Sequence, residues 1–250
     1  RNQNKKYFNK DMKNISFIFP IYNEEKRINN ILNFIKWIKL KKIKNFEILI
    51  ISNGSRDNTV EIGKKYSKEF KFIRFLSLDQ ASRGSAIKFG IKNSKYNLNA
   101  ICAIDNAWDL NFYCKAFKII KKADFSLVYG PKTHLNSKIK RPKIRKIISV
   151  ICSFYLQILF GNKIDQDTQC IKFFDKKKIK ITKFLSDRNL FHDAEFFILT
   201  KLHNVSYSSI PVNVKDDKKM VSLKMMLLFM IDALTFRFSF QYKKASKLKK

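Results

Sequence analysis

The sequence predicts an α/β protein in which a mostly parallel sheet is flanked by helices. Short uncharged apolar runs, such as residues 100–104, alternate with longer segments that carry apolar residues at helical spacing. Continuous apolar runs are typical of strands buried on both faces, and strand–helix alternation indicates right-handed crossovers in a parallel sheet. Only 6 Gly and 4 Pro occur in 250 residues, which excludes collagen-like and linker-rich classes.

The first predicted strand covers residues 15–22, which are apolar, aromatic and β-branched. A helix over residues 25–39 follows, with Ile28, Ile31, Ile35 and Ile38 on one face. Further strands are predicted at residues 46–51, 72–78, 100–104 and 125–129, and further helices at residues 60–70, 82–93 and 111–122. This order builds a five-stranded sheet from the first half of the chain.

The second half contains two apolar segments with basic flanks, at residues 147–160 and 223–240. Both suit amphipathic helices in a membrane interface, and both also suit core helices; their basic flanks favour an anionic membrane surface. Residues 210–214 are predicted as an edge strand. The domain organisation expected is a polar extension over residues 1–13, a main domain over 14–215, and an amphipathic helix with a basic tail over 216–250.

The net charge is +32, from 52 Lys and Arg against 20 Asp and Glu. Such a charge favours anionic partners, namely nucleic acid, acidic lipids or phosphorylated substrates. Compositional drift across the whole chain explains the charge equally well, because the lysines are scattered. The four cysteines form no CxxC pair, which fits a reducing, cytosolic compartment. With no apolar leader and no run long enough to span a bilayer, a soluble or peripheral protein is expected.

Asp105 is the main candidate site residue. It ends the apolar run at residues 100–104, and Asp109 follows four residues later. Ligands of open α/β sheets bind at the carboxyl ends of the strands. Asp105 is therefore expected at the rim of the sheet, whereas Asp109 is either a second site ligand or the cap of the following helix.

Four motifs in order resemble family 2 glycosyltransferases of the GT-A fold, a Rossmann-like architecture. They are residues 19–25 (FPIYNEE), residues 47–59 (EILIISNGSRDNT), residues 83–90 (RGSAIKFG) and the acid Asp105. Later motifs are similar to the branch that glycosylates polyprenyl phosphates: residues 130–132 (GPK), residues 167–170 (DTQC) with Lys172, and residues 191–195 (FHDAE). The resemblance covers roughly residues 14–240.

On the donor side, the resemblance implies transfer of a hexose from a UDP- or GDP-sugar. The implied nucleotide-sugar contacts are Pro20, Tyr22, Asn23, Glu24, Asn53, Arg83, Lys88 and Asp105. Asp105 matches the first acid of the family's DxD motif, and it implies a Mg²⁺ or Mn²⁺ cofactor held by Asp105 and Asp109.

On the acceptor side, the resemblance implies a polyprenyl or dolichyl phosphate. Asp193 and Glu195 match the family's acidic pair and are expected to be catalytic with Asp105, while Asp167, Gln169 and Arg145 are expected beside the acceptor. The enzyme would then be peripheral on the cytoplasmic face of an anionic membrane. No nucleic acid partner is expected, since no nucleic-acid motif accompanies the charge.

The chain departs from the family pattern on the donor side. Ser52 and Asn53 stand where two acids are usual, and Asn106 and Ala107 follow Asp105 where the family reads Ala-Asp. A catalytically degenerate GT-A domain that binds lipid or a protein partner is therefore the alternative to an active transferase.

Overall fold

The computed structural model describes residues 12–80, 82–105, 107–140, 142–161, 170–179, 181, 185–215 and 223–247, and omits the side chains of residues 145 and 146. The strands are β1 (Lys13–Ile21), β2 (Lys44–Asn53), β3 (Ile73–Leu78), β4 (Leu98–Ile101), β5 (Leu127–Gly130), β6 (Lys138–Lys140), β7 (Ile171–Asp175), β8 (Tyr207–Ser209) and β9 (Asn213–Lys215). The helices are α1 (Asn30–Leu40), α2 (Thr59–Glu69), α3 (Arg83–Asn93), α4 (Asn111–Ala123), α5 (Lys143–Phe160), α6 (His192–Leu202), α7 (Leu223–Phe238) and α8 (Phe240–Lys247).

Seven strands form the main sheet in the order β3-β2-β1-β4-β7-β5-β8. The neighbours β3, β2, β1 and β4 run parallel, as do β5 and β8, whereas β7 is antiparallel to both β4 and β5. Strands β6 and β9 form a separate parallel pair. The prediction of a mostly parallel, helix-flanked sheet is confirmed.

The central strands are apolar on both faces because each face is covered. In β1, Phe17 and Phe19 point into one hydrophobic core and Ile18 into the other. Neighbouring β2 alternates in the same way, with Ile48 and Ile50 on the first side. This double burial explains why the first strands were recognisable as uninterrupted apolar runs.

Some predicted boundaries were wrong. Helix α1 begins at Asn30 rather than residue 25, because residues 25–29 form turns that contact the loop after β2. The predicted strand at residues 210–214 is replaced by β8 and β9 on either side of Ile210 and Pro211, since Pro211 has no N–H for a ladder. Strand β7 was not predicted. The segment at residues 223–240 is divided at Ser239 into α7 and α8.

Helices α5 and α7 pack against each other. The Tyr155 hydroxyl donates to the Met230 carbonyl oxygen at 3.1 Å, and the Arg237 Nε donates to the Leu159 carbonyl oxygen at 3.0 Å. Beneath them, Leu156, Phe160, Ala233 and Phe236 are buried in the core. The two helices are therefore fixed to the rest of the fold through one side only.

The opposite side of this helix pair is an exposed apolar surface, called here the apolar face. Its side chains are between 42% and 68% exposed and repeat at helical spacing. They are Ile144, Ile147, Val150, Ile151, Phe154 and Ile158 from α5, and Leu223, Met225, Leu227, Leu228, Ile231, Leu234 and Phe238 from α7. Among the described helices, none has the length and apolar character needed to cross a bilayer.

Candidate active site

A cavity of about 350 Å³ opens at the carboxyl end of β4. Its charged wall residues are two cations, Arg83 and Lys132, and two carboxylates, Asp105 and Asp193. The remaining wall residues are Ile101, Cys102, Ala103, Ala107, Trp108, Cys170, Ile171, Asn189, Leu190, Val214 and Met225. A concave site with a few convergent charged groups at this edge of an α/β sheet is where such folds bind ligands.

Asp105 lies half-buried on the cavity wall, and its contacts with a nucleotide sugar and a metal ion stay predictions. Strand β4 ends at Ile101, and the Cys102 N–H still donates to the Ile18 carbonyl oxygen at 2.8 Å, which extends the pairing toward the loop. The Asp105 Oδ1 accepts a hydrogen bond from the Ala107 N–H at 3.2 Å. This local turn fixes the carboxylate in the loop that borders the cavity.

Asp109 does not line the cavity. Its Oδ1 accepts hydrogen bonds from the Asn111 N–H at 2.9 Å and from the Asn111 side-chain amide at 3.0 Å. Leu110 is the residue at the N-cap of α4, without a side-chain cap bond, and the Asp109 carboxylate closes a turn with Asn111 at the start of that helix. A metal-ligand role for Asp109 stays a prediction that these contacts do not support.

Arg83 reaches the cavity from the first residue of α3. The Ser82 hydroxyl caps this helix by accepting from the Ser85 N–H at 3.2 Å, and the Arg83 N–H donates to the Asn189 Oδ1 at 2.9 Å. The next residue must be Gly84, because a Cβ there would lie 2.3 Å from the Arg188 carbonyl oxygen. Helix α3 therefore starts in direct contact with the loop before α6.

Asp193 is buried and paired with two cations. Its Oδ1 lies 2.6 Å from the Lys172 Nζ, and its Oδ2 lies 3.5 Å from the Arg83 Nε. Burial would raise the pKa of the Asp193 carboxyl, but the Lys172 ammonium and the Arg83 guanidinium hold it well below its usual range. The sequence predicted Asp193 at the site, and the cavity wall includes it.

Glu195 faces away from the cavity. It is fully buried and accepts hydrogen bonds from the Ser186 N–H at 2.6 Å and from the Ser186 hydroxyl. Burial raises the pKa of the Glu195 carboxyl, against those hydrogen bonds. Through these contacts Glu195 anchors the loop before α6. A direct catalytic role for Glu195 stays a prediction.

His192, beside Asp193, is buried and neutral. Burial lowers the pKa of the His192 imidazole to about 4, and the cations Lys172 and Arg83 act in the same direction. Its Nδ1 lies next to Gly84. These surroundings give His192 a packing role beside Asp193.

The predicted nucleotide loops lie at the same edge of the sheet but outside the cavity wall. Tyr22 is 46% exposed, and the Asn23 Oδ1 accepts from the Arg56 N–H at 2.9 Å. The Glu24 N–H donates to the Thr59 hydroxyl oxygen at 2.8 Å. The loops after β1 and β2 are therefore joined to each other, and their nucleotide contacts stay predictions.

Three other donor-side candidates occupy different settings. Pro20 is half-buried within β1 opposite Ile51, and Asn53 is buried, where its Oδ1 accepts from the Ser82 N–H. Lys88 is exposed and lies 3.4 Å from the Asp187 carboxylate. Asn53 thus connects the end of β2 to the start of α3, and its predicted contact with the nucleotide stays a prediction.

The acceptor-side predictions cannot be placed. Asp167 and Gln169 lie outside the described residues, and so does the side chain of Arg145, whose backbone belongs to α5. All three stay predictions.

Lys132 and Trp108 are cavity residues to which the sequence gave no site role. The Lys132 Nζ lies 5.1 Å from the Trp108 ring centre, in a cation–π contact at the wall. Trp108 is half-buried and contacts both the core and the cavity. The motif at residues 130–132 was the available signal for Lys132.

Comparison with known proteins identifies the family. The family model for glycosyl transferase family 2 matches residues 16–182, more than half of the chain. The chain belongs to this family. Family 2 membership and relatives named as enzymes make the chain a glycosyltransferase.

The curated relatives of this glycosyltransferase include dolichyl-phosphate beta-glucosyltransferases. One, named ALG5A, from Trichomonas vaginalis, is 31% identical over 222 residues, covering 82% of this chain and 68% of the relative. Those of Dictyostelium discoideum and Saccharomyces cerevisiae are 29% and 27% identical, covering 80% of this chain in both cases and 65% and 66% of the relatives. The chain thus spans about two thirds of the length of these relatives.

Solved structures confirm the GT-A fold. The glucosyl-3-phosphoglycerate synthase of Mycobacterium tuberculosis matches with a TM-score of 0.63 at 14% identity, covering 89% of this chain and 80% of that chain. The same enzyme in complex with Mn²⁺, UDP-glucose and glycerol 3-phosphate matches with a TM-score of 0.62, covering 89% of this chain and 79% of that chain. At this identity, the likeness concerns the fold alone.

Proposed function

We propose that this glycosyltransferase moves a hexose from a UDP-sugar to a dolichyl or other polyprenyl phosphate. The reaction would take place where the chain lies on the cytoplasmic face of an anionic membrane. Glucose is the first candidate, because the relatives are named dolichyl-phosphate beta-glucosyltransferases. UDP is the first nucleotide to test, since the glucosyl-3-phosphoglycerate synthase that shares the fold was solved with UDP-glucose.

Met225 carries the membrane part of the proposal. Its side chain is 44% exposed as part of the apolar face, and it also lines the cavity. The cavity therefore opens beside a surface suited to the acyl region of a bilayer. A lipid whose phosphate enters the cavity could keep its hydrocarbon chain along α7.

The cavity charges suit phosphate groups. Arg83 and Lys132 are cations on the wall, and an arginine can hold phosphate oxygens through paired N–H donors. Such donors stabilise the negative charge that develops on a leaving diphosphate. The alternative, a degenerate domain, has no comparable need for two cations in one cavity.

A divalent cation fits this site only together with the diphosphate. Within the described ranges, no group of three His, Cys, Asp or Glu side chains could hold a metal ion by itself. Mg²⁺, however, is often bound by one or two carboxylates plus substrate phosphates. Asp105 would be the protein ligand, because it lies on the cavity wall and matches the first acid of the family's DxD motif. When bound, the ion would neutralise the leaving diphosphate.

The chemistry requires positioning more than proton transfer. An oxygen of the acceptor phosphate attacks the sugar C1 from the side opposite the diphosphate, and the C1–O bond to the diphosphate breaks as the new one forms. The acceptor oxygen is already anionic, so no base is needed. The protein's task is to hold the two phosphate-bearing substrates in line.

The test is a transfer assay with radiolabelled UDP-glucose, dolichyl phosphate in vesicles, and Mg²⁺ or Mn²⁺. We expect label in the extracted lipid fraction only when the phosphorylated acceptor is present, and none with dolichol. Micromolar binding of UDP without any transfer to lipid, across UDP- and GDP-sugars, would contradict the proposal. A chain that binds no nucleotide at all would instead favour the degenerate domain.

Charge placed on the apolar face is expected to detach the protein from membranes. Ile151→Glu combined with Ile231→Glu should lower partitioning into anionic vesicles more than tenfold. Both isoleucines are exposed in the protein, and each contributes about 1.5–3 kcal/mol when a membrane buries it. Vesicle sedimentation measures the change, and UDP binding should be unaffected.

Leu40→Glu is the control for one such substitution outside the apolar face. Leu40 is 68% exposed at the end of α1, outside the apolar face. Leu40→Glu should therefore not reproduce the loss of vesicle binding expected for the double variant on α5 and α7. If Leu40→Glu weakens vesicle binding as strongly as the double variant, net charge rather than the apolar face governs attachment.

A further inference from the structure

Lys172 is a buried charge that the proposed chemistry has not used. It is the second residue of β7, is 2% exposed, and donates from its Nζ to the Cys170 carbonyl oxygen at 2.9 Å. The same Nζ lies 5.2 Å from the ring centre of Phe197. A buried ion pair is weak evidence of stabilisation, since an apolar residue of similar volume often serves as well. The role of Lys172 must therefore be judged by what it does to the cavity.

Lys172 acts on the cavity through Asp193. The Asp193 Oδ1 lies 2.6 Å from the Lys172 ammonium nitrogen, and the Asp193 Oδ2 lies 3.5 Å from the Arg83 Nε. Lys172 is fixed inside the protein, whereas the Arg83 side chain is 41% exposed at the cavity wall. Asp193 thus connects an immobile cation to a cation that a ligand can reach.

Lys172 also sets the charge of the site. Arg83 and Lys132 on the wall are balanced by Asp105 and Asp193, so that the described wall residues are neutral together. Lys172, directly behind Asp193, leaves one net positive charge. This excess positive charge favours an anionic ligand. The attraction becomes stronger as water is excluded from the site.

These contacts make Asp193 a poor general base. Its two cationic partners favour the carboxylate so strongly that it gains little by accepting a proton. A phosphate acceptor has no proton to give up at neutral pH in any case. An anion held between two cations is better suited to orienting one of them.

We propose that Lys172 is a positioning residue for the donor diphosphate: it fixes Asp193, whose second oxygen orients the Arg83 guanidinium toward the cavity. This inference rests on the proposed function, because it requires a phosphate-bearing ligand in the cavity. It assigns Asp193 to orientation rather than to proton transfer.

The test compares Lys172→Met with the double variant Lys172→Met/Asp193→Asn. The double variant removes both buried charges, so its unfolding midpoint should return to that of the unaltered chain. Its dissociation constant for UDP, measured by calorimetry, should remain about tenfold higher, or roughly 1.4 kcal/mol. In the transfer assay, the KM for the nucleotide sugar should rise in the same proportion while kcat changes by less than about threefold.

A second expectation is non-additivity. Because Lys172 is inferred to act through Asp193, the double variant should bind UDP no worse than Lys172→Met alone. Lys178→Met, which removes an exposed lysine shortly after the end of β7, should leave UDP binding unchanged.

Two outcomes would overturn the inference, and they are distinguishable. If the double variant regains both stability and UDP affinity, Lys172 is merely structural, while the proposed function stands. If the unaltered chain binds no UDP or GDP, the proposed function fails and the inference fails with it.

Discussion

Asp105→Asn is expected to lower the kcat/KM for sugar transfer by about 10²–10³-fold, the loss typical of removing one preorganised electrostatic group. Asp105 lies on the described cavity wall, and the family resemblance places this carboxylate beside the donor diphosphate. Asparagine keeps an oxygen for the Ala107 N–H, so the loop should keep its shape. Initial rates at varied UDP-sugar measure the effect.

Asp109→Asn is the matched control, in the same loop and with the same loss of charge. Asparagine also has a side-chain oxygen that can accept from the Asn111 N–H and side-chain amide, the two donors to the Asp109 Oδ1. Activity and unfolding midpoint should both be retained. Equal activity of Asp105→Asn and the unaltered chain would remove Asp105 from the mechanism; a large loss in Asp109→Asn would restore Asp109 as a ligand.

Asp193→Ala is expected to lower the free energy of unfolding by about 3–5 kcal/mol, because it leaves the Lys172 ammonium buried without its carboxylate. Arg83 can turn to water, since its side chain is 41% exposed, but Lys172 cannot. Urea unfolding at neutral pH measures the difference. Lys178→Met, which breaks an exposed pair with Asp124, should leave the midpoint unchanged.

The effect of Asp193→Ala should shrink in acid. The folded pKa of Asp193 lies below the unfolded value, so the ionised carboxylate contributes its full stability above the unfolded pKa. That contribution is lost as the pH falls through the folded pKa. A difference that stayed constant from neutral pH into strong acid would contradict an ionised Asp193.

The sequence was sufficient for the strands that are apolar without interruption, and insufficient for β7. Strands β1 and β2 are buried on both faces, so nearly every residue is apolar and the pattern is unmistakable. In β7, Lys172 breaks the apolar run, and the residue that makes its burial possible is Asp193, on a helix 21 residues later. No local pattern reports such a partner.

The candidate site was likewise predictable only where a local sequence signal marks the residue. Asp105 was found because it ends an apolar run, which is a local signal. The role of Asp109 depended on whether its oxygen meets Asn111, a choice of side-chain geometry that spacing leaves open. Lys132 reaches the cavity beside Trp108, and that contact joins two loops at the ends of different strands.

Strand β7 also has a consequence for the order in which the protein folds. It pairs Lys172 with Ile101 on one side and with Tyr129 on the other. Both partners are distant from Lys172 in the sequence. Pairings of this kind carry a large loop-closure entropy and raise the contact order, which slows folding. The parallel half from β1 to β4 can assemble from earlier residues, whereas the two halves of the cavity meet only when β7 inserts. We therefore expect ligand-binding competence to appear in refolding after most of the helical signal has been recovered.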